Sequence, residues 1–536
     1  MKTKFTLLAI TLAFIGLSVN AQTPTILKDI NPGINSSSPY YLTDVNGTLF
    51  YTANNGTNGI ELWKSDGTAA GTVMVKDINS GSGNSTTASD YINVNGTLYF
   101  TANDGTSGME LWKSDGTAAG TVMVKDINPG SNGSSPIRLT NVNGTLFFMA
   151  GDGTNWDKLW KSDGTAAGTV MVSNININIM VSFEALNNII LFCANDGTNG
   201  QELWKSDGTA AGTVMLKDLN PGSADAFNTS GGVRKIFSYN GSAYFCAQYA
   251  NNQWALWKTD GTTIGTIQVK TGISNVPGYI GINSDVYFVN VPSVAYDLWK
   301  TDGTTAGTVE IKQGCFPTAQ TPYMAVLNNK LLFGGKDQTN GGELWTSDGT
   351  LTGTVMLKDI NTGSSGSGPM NMTVSGNTLY FSAATNTQGW ELWQSDGSNA
   401  GTVMVADIYP GTQAGVPFSA DPSFLTVMNG DLYFSAKNGT NGTELWKLNG
   451  STAGITSFAS NDKINIFPNP STGKFKIESN HKFSKNTVFE VYNSLGDKVL
   501  QQQNPKDIDL SNFSKGVYFV NITEDGQTFT KKIILE

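Results

Sequence analysis

The chain has 536 residues, a formal net charge of −10, 14% charged residues and a single histidine, His481. With no imidazole before residue 481, a Ser/His/Asp or Cys/His triad is excluded from most of its length, and so is a multi-histidine zinc or iron site. Only two arginines occur, Arg138 and Arg234, and the body between the first 21 and the last 75 residues carries a net −13, which leaves no basic face for nucleic acid.

Residues 1–21 read as a secretory signal peptide. Lys2 and Lys4 precede an apolar run from Phe5 to Val19, and Val19-Asn20-Ala21 fits a small-x-small cleavage rule. The run is too short for a permanent span, and no later stretch approaches the ~18 apolar residues one requires. The mature chain is therefore expected to start at Gln22, leave the cytoplasm and have no transmembrane span.

From residue 22 to 458 the sequence repeats. Leu-Trp recurs nine times, with tryptophan at 63, 112, 160, 204, 257, 299, 345, 393 and 446, a mean spacing of about 48 residues. Each unit parses into four short strands. The first ends at an Asn-Gly pair such as Asn46-Gly47, suited to a type I′ hairpin. The second, Thr48 to Ala53 in the first unit, is apolar on consecutive residues and so is expected to be buried on both faces. The third carries Glu-Leu-Trp-Lys, Asp-Gly-Thr turns the chain, and Val-Met-Val-Lys-Asp-Ile supplies the fourth. Four antiparallel strands at this period predict a β-propeller blade. Thr25 to Gly33 matches a fourth strand with no first three before it, while the last unit has a weak fourth strand. The N-terminal strand is thus expected to complete the last blade and close the ring. Nine blades is the direct count, with eight as the alternative because the units at 240–315 are degenerate. Cys193 and Cys246 occupy one repeat position and are read as unpaired core residues; Cys315 is read as unpaired.

Candidate chemistry in the ring must come from departures from the repeat. The loops after strands two and four should share one face, placing Asn58, Asp104, Asp196, Asn199 and Asn441 together as possible sugar-binding amides and carboxylates. Trp156, Trp254 and Trp390 stand just before Leu-Trp, the latter two where other units hold Ile60, Met109 and Gln201 and Trp156 one position earlier. They are candidates for stacking on a sugar, with local packing as the alternative. Glu184, in a channel-side first strand, is the leading catalytic candidate, ahead of Asp225 and Glu310. A glycosidase needs a carboxylate pair, which the sequence does not reveal. Oxygen-rich loops would suit calcium, but the Asp-x-Asp-x-Asp-Gly spacing is absent, so no cofactor is expected. The motif Glu61-Leu-Trp-Lys-Ser-Asp-Gly-Thr68 resembles the ELWxxDGT repeat family of exported bacterial proteins, and that resemblance implies no particular activity.

A linker at 459–463 leads to residues 464–536, where alternating apolar residues between turns predict a small immunoglobulin-like β-sandwich. Pro468-Asn469-Pro470, Gly496, Gly516-Val-Tyr518 and the Lys531-Lys532-Ile-Ile ending resemble the type A sorting domain of type IX secretion cargo in Bacteroidetes. The resemblance implies the type IX machinery and its sortase as partners, passage through the periplasm, and release or attachment to surface lipopolysaccharide. The expected function is binding or adhesion at the cell surface, with extracellular polysaccharide as ligand. A polysaccharide-active enzyme and a structural surface component are the alternatives.

Overall fold

In the computed structural model, residues 22–86, 91–227, 234–250, 253–292, 296–316, 323–450, 465–478, 483–485, 487–493, 498–524 and 527–536 are described; the signal peptide, the linker, His481 and Gly496 lie outside them. The chain divides into two compact units, 1–450 and 451–536. Every regular element among the described residues is a strand, and no helix there is long and apolar enough to cross a membrane.

Among the described residues the first unit holds nine antiparallel blades, spanning 40–76, 92–125, 137–173, 176–217, 236–271, 279–312, 324–358, 370–406 and 423–448, and one two-stranded hairpin. Blade 1 runs from its inner strand Tyr40–Val45 through Thr48–Asn54 and Ile60–Ser65 to its outer strand Val73–Lys76. Asn46 and Gly47 have φ of 53° and 81°, the paired positive values of a type I′ hairpin that asparagine and glycine tolerate. The second strand is buried on both sides because alternate residues meet different neighbours. Leu49, Tyr51 and Ala53 pack with Tyr433 and Leu445 of blade 9, while Phe50 packs with Leu98, Phe100 and Trp112 of blade 2. Burying each leucine or phenylalanine contributes about 2 kcal/mol, and the strand makes such contacts on both faces at once.

Blade 9 has only three strands of its own, Ser423–Met428, Asp431–Lys437 and Thr443–Leu448; its fourth is Thr25–Lys28, paired antiparallel to the third. Blades 9 and 1 are joined directly. Thr426 Oγ1 donates to the Leu42 carbonyl at 3.1 Å, Lys447 Nζ to Gly67 at 3.3 Å and Lys28 Nζ to Thr72 at 2.7 Å. The same lysine contact recurs between earlier blades, Lys76 to Thr121 and Lys125 to Thr169, both at 2.8 Å. The sheets therefore form a closed propeller ring. Blade 4 is irregular: its inner strand is split into Asn176–Ile177 and Glu184–Leu186, both paired to Ile189–Asn195.

The second unit is a sandwich of a three-stranded and a four-stranded sheet. Phe475 and Ile508 from one sheet face Phe489, Val491, Val520, Ile522 and Ile533 from the other, all buried. The three cysteines are free and buried.

Candidate functional site

The turns between third and outer strands are closed from within. Thr68 donates to Asp66 Oδ1 through its N–H at 2.9 Å and its hydroxyl at 2.7 Å. The arrangement repeats through Asp115, Asp207, Asp260, Asp302 and Asp348, and the threonine hydroxyl and N–H hold these carboxyls below the usual range. The opposite face carries the loops after the second and outer strands, which bond to one another: Asn58 Nδ2 donates to Asp77 Oδ2 at 2.8 Å and Ser85 N to the Ile60 carbonyl at 3.0 Å.

Most of the polar residues singled out on this face are engaged with their own loops. Asp104 accepts from Thr106 N at 2.8 Å and Ser107 N at 2.7 Å. Asp196 accepts from Asn199 N at 2.8 Å and Asn199 Nδ2 at 2.7 Å. Asn441 Nδ2 reaches across the ring closure to Asp29 Oδ2 at 2.8 Å. The three extra tryptophans differ. Trp254 is covered by the Arg234 guanidinium, 4.5 Å from its ring centre. Trp390 packs over Gly368, where a Cβ would come within 3.1 Å of the ring. Trp156 lies against Gly151 and stays 50% exposed.

Arg234 also holds the irregular part of blade 4. Its N–H donates to Met180 O at 2.8 Å, and its Nη1 to Asn275 Oδ1 at 2.8 Å. From the other side Arg138 Nη2 donates to Ile179 O at 2.8 Å. The chain's only two arginines thus clamp one split strand. Beside it a channel-side cavity of about 330 Å³ is lined by Ser182, Glu184, Lys235, Phe237, Tyr279 and Met324 among others. Phe237 and Tyr279 stack in parallel at 5.8 Å, and Glu184 Oε1 accepts from Ser238 N at 2.9 Å. Burial pushes the Glu184 carboxyl up, and no second carboxylate is among the described residues lining that cavity. Asp225 accepts from Gln201 N at 2.8 Å, and Glu310 sits exposed on the outer strand of blade 6.

Two features of the loop face were not read from the sequence. The glutamate of Glu-Leu-Trp is fully buried in six blades, as Glu61, Glu110, Glu202, Glu343, Glu391 and Glu444. Each accepts N–H groups from the loop that follows an outer strand. Glu110 takes Ile127 N and Asn128 N at 3.1 Å, Ser134 N at 2.8 Å and Ser134 Oγ at 2.5 Å. Burial outweighs these bonds and raises the carboxyls, Glu61 and Glu391 to about 7 and Glu202 to about 8.

The second feature is a cleft of about 630 Å³ between blades 8 and 9. In other blades an asparagine after the outer strand ties its loop together, as Asn79 Nδ2 does to Asn84 O at 3.0 Å and Asn128 Nδ2 to Gly133 O at 2.6 Å. Tyr409 occupies that position in blade 8. The loop is longer here and carries a hairpin, Thr412–Gln413 paired with Val416–Pro417. Phe418 returns from it to stack on Tyr409, with centroids 4.5 Å apart and planes 15° off parallel. Tyr409 lies over Gly439, where any Cβ would stand 3.0 Å from its ring. Gln413, Asn438, Asn441 and the Lys437–Asp421 ion pair at 2.6 Å complete the polar walls. The replacement of asparagine by Tyr409 was the available sequence signal. Among the described residues no group of three or more His, Cys, Asp or Glu is arranged to hold a metal.

In the second unit Asn469 joins first and last strands: its Nδ2 donates to Lys532 O and its Oδ1 accepts from Ile534 N, both at 2.8 Å. Pro468 and Pro470 flank it. Tyr518, buried, donates to Ser514 O at 2.6 Å, while Gly516 opens that strand and Lys531 and Lys532 lie on the last. Residues 465–536 match the secretion system C-terminal sorting domain. This unit is a type IX sorting domain. The sorting domain implies handling by the type IX machinery and export to the cell surface or extracellular space. No curated protein matches the chain. Among solved structures it is similar to a prolyl endopeptidase (10% identity, TM-score 0.39, 93% of this chain and 56% of that one). It is similar also to a puromycin hydrolase (12%, 0.35, 76% and 59%) and to a chain of the nidogen/laminin complex (10%, 0.25, 48% and 92%). The chain spans 50–61% of the length of the hydrolases it matches. Likeness at this level does not bear on what the chain does.

Proposed function

We propose that the propeller is a non-enzymatic binding module of the ELWxxDGT repeat type, carried outside the cell by the sorting domain, and that it takes a glycan in the cleft between blades 8 and 9. The observation that carries this reading is the stacked Tyr409–Phe418 pair on a loop that departs from the repeat, beside amide groups. Sugars present an apolar ring face and equatorial hydroxyls, and an aromatic wall with amides complements both. One face of the Trp254 ring is already taken by Arg234. The sortase would then release the mature chain or attach it to surface lipopolysaccharide, with the signal peptide at 1–21 and the ring at 22–458. A hydrolase reading would rest on Glu184, whose cavity offers no partner carboxylate among its described lining residues.

A glycan array with the mature chain, followed by calorimetry on the best ligand, tests the proposal. Tyr409→Ala and Phe418→Ala should each weaken binding about fivefold, in line with ~1 kcal/mol for a stacked aromatic, and Trp156→Ala should not. Absence of glycan binding together with polysaccharide cleavage that is lost in Glu184→Gln would overturn it.

A further inference from the structure

The cleft between blades 6 and 7 breaks the repeat in another way. Lys28, Lys76, Lys125 and Lys217 each cap a threonine carbonyl of the next blade at 2.7–2.8 Å. Lys312 holds the same position and lies 5.3 Å from the Trp345 ring centre, as Lys76, Lys125 and Lys217 lie 5.7–5.9 Å from the tryptophans of their next blades, but it makes no such bond to Thr354. It lines an open cleft of about 820 Å³ together with Tyr296, Gly314, Lys336 and Trp345. Two substitutions change the charge there. Gln313 stands where other units have Asp29, Asp77 and Asp218, and Lys336 stands where they have Asn54, Asn103 and Asn195. Asp337 is adjacent, but its carboxylate closes its own turn, accepting from Thr339 N at 2.8 Å, Asn340 N at 2.6 Å and Asn340 Nδ2 at 2.9 Å. Among the described residues neither Lys312 nor Lys336 is in an ion pair. Two lysines therefore share a hollow with an aromatic wall in a body that is otherwise acidic, and the one carboxylate lining it, Asp337, is tied up in its own turn, with Lys312 near enough to help hold it low.

We propose that this cleft binds the anionic group of an acidic polysaccharide, a carboxylate or sulfate ester, held by Lys312 and Lys336 with Tyr296 alongside the sugar. Ammonium groups on flexible stems suit such point-like recognition, and a cleft walled by protein strengthens it relative to open water. The inference rests on reading the propeller as a binding module but not on the cleft between blades 8 and 9, so the two fail separately.

Calorimetry on the mature chain with oligogalacturonate, a sulfated oligosaccharide and a neutral malto-oligosaccharide of matched length tests it. The double variant Gln313→Asp/Lys336→Asn restores residues that neighbouring blades already carry and so should keep the fold, which the tryptophan fluorescence verifies. At least one acidic probe should bind, more weakly as salt rises, and the double variant should bind it about tenfold more weakly. Tyr409→Ala should leave that binding unchanged. Failure of both acidic probes to bind, equal affinity for acidic and neutral probes, or undiminished acidic binding in a folded double variant would each overturn the proposal.

Discussion

A carboxylate removed from water must be met by donors or lose its charge. Glu110 shows how the blade meets this requirement: three N–H groups and one hydroxyl converge on it from the loop that leads into the next blade. The side chain is therefore the peg on which a Gly-rich loop is hung. Glu110→Ala would leave those donors buried and unpaired, and each orphan costs roughly 1–3 kcal/mol. A loss of about 3 kcal/mol or more is expected from urea unfolding, with Glu110→Gln losing less because its amide oxygen still accepts. All 12 tryptophans lie at or before residue 446, so their fluorescence reports the ring alone. An unchanged midpoint in Glu110→Ala would show that the loop does not need its peg. The repeated position was visible in the sequence, but its burial was not: glutamate is seldom fully buried, and its donors lie 17–24 residues ahead. Trp254 was opaque for the same reason, since the Arg234 that covers it sits 20 residues earlier, bridged to Val181 outside any strand.

At the level of strands, period and punctuation carried most of the architecture. Consecutive apolar residues at 48–53 signalled burial on both faces, and neighbouring blades bury them in alternation. Asn-Gly pairs marked the hairpins, and a fourth strand without its first three marked the ring closure, now seen as Thr25–Lys28 against Thr443–Leu448. What period could not carry was shape between blades, because the clefts arise where Tyr409, Gln313 and Lys336 depart from it. The closure can be tested covalently. Thr25 and Lys447 are directly opposite in the antiparallel pair, a spacing within disulfide reach, and the native cysteines are all buried. Thr25→Cys/Lys447→Cys should cross-link on oxidation. The bond closes nearly the whole ring, so it should raise stability by at least ~2 kcal/mol over the reduced form. Failure to cross-link in the folded protein would mean that the N-terminal strand does not complete blade 9.

Across the whole molecule two families of carboxyls pull stability in opposite directions with pH. The turn aspartates, Asp66 and its equivalents, are held low by their threonines, so their contribution exists above the unfolded value near 3.9 and vanishes as pH falls. The buried glutamates are raised. Their contribution is complete below the unfolded value near 4.3 and is lost as pH climbs through about 7 for Glu61 and Glu391 and about 8 for Glu202. The remaining three, Glu110, Glu343 and Glu444, are raised in the same sense. Self-repulsion in the acidic body grows over the same interval and acts in the same direction. The ring should therefore be most stable near about pH 4–5 and soften steadily toward about pH 8, unlike the common optimum between ~5 and 8. Melting curves read through tryptophan across that range test the sign, and Glu61→Gln/Glu202→Gln/Glu391→Gln should flatten the alkaline limb while lowering the acid maximum. A melting temperature that rises from pH 5 to 8 in the parent chain would mean that the loop N–H groups, and not burial, decide the charge state of these glutamates.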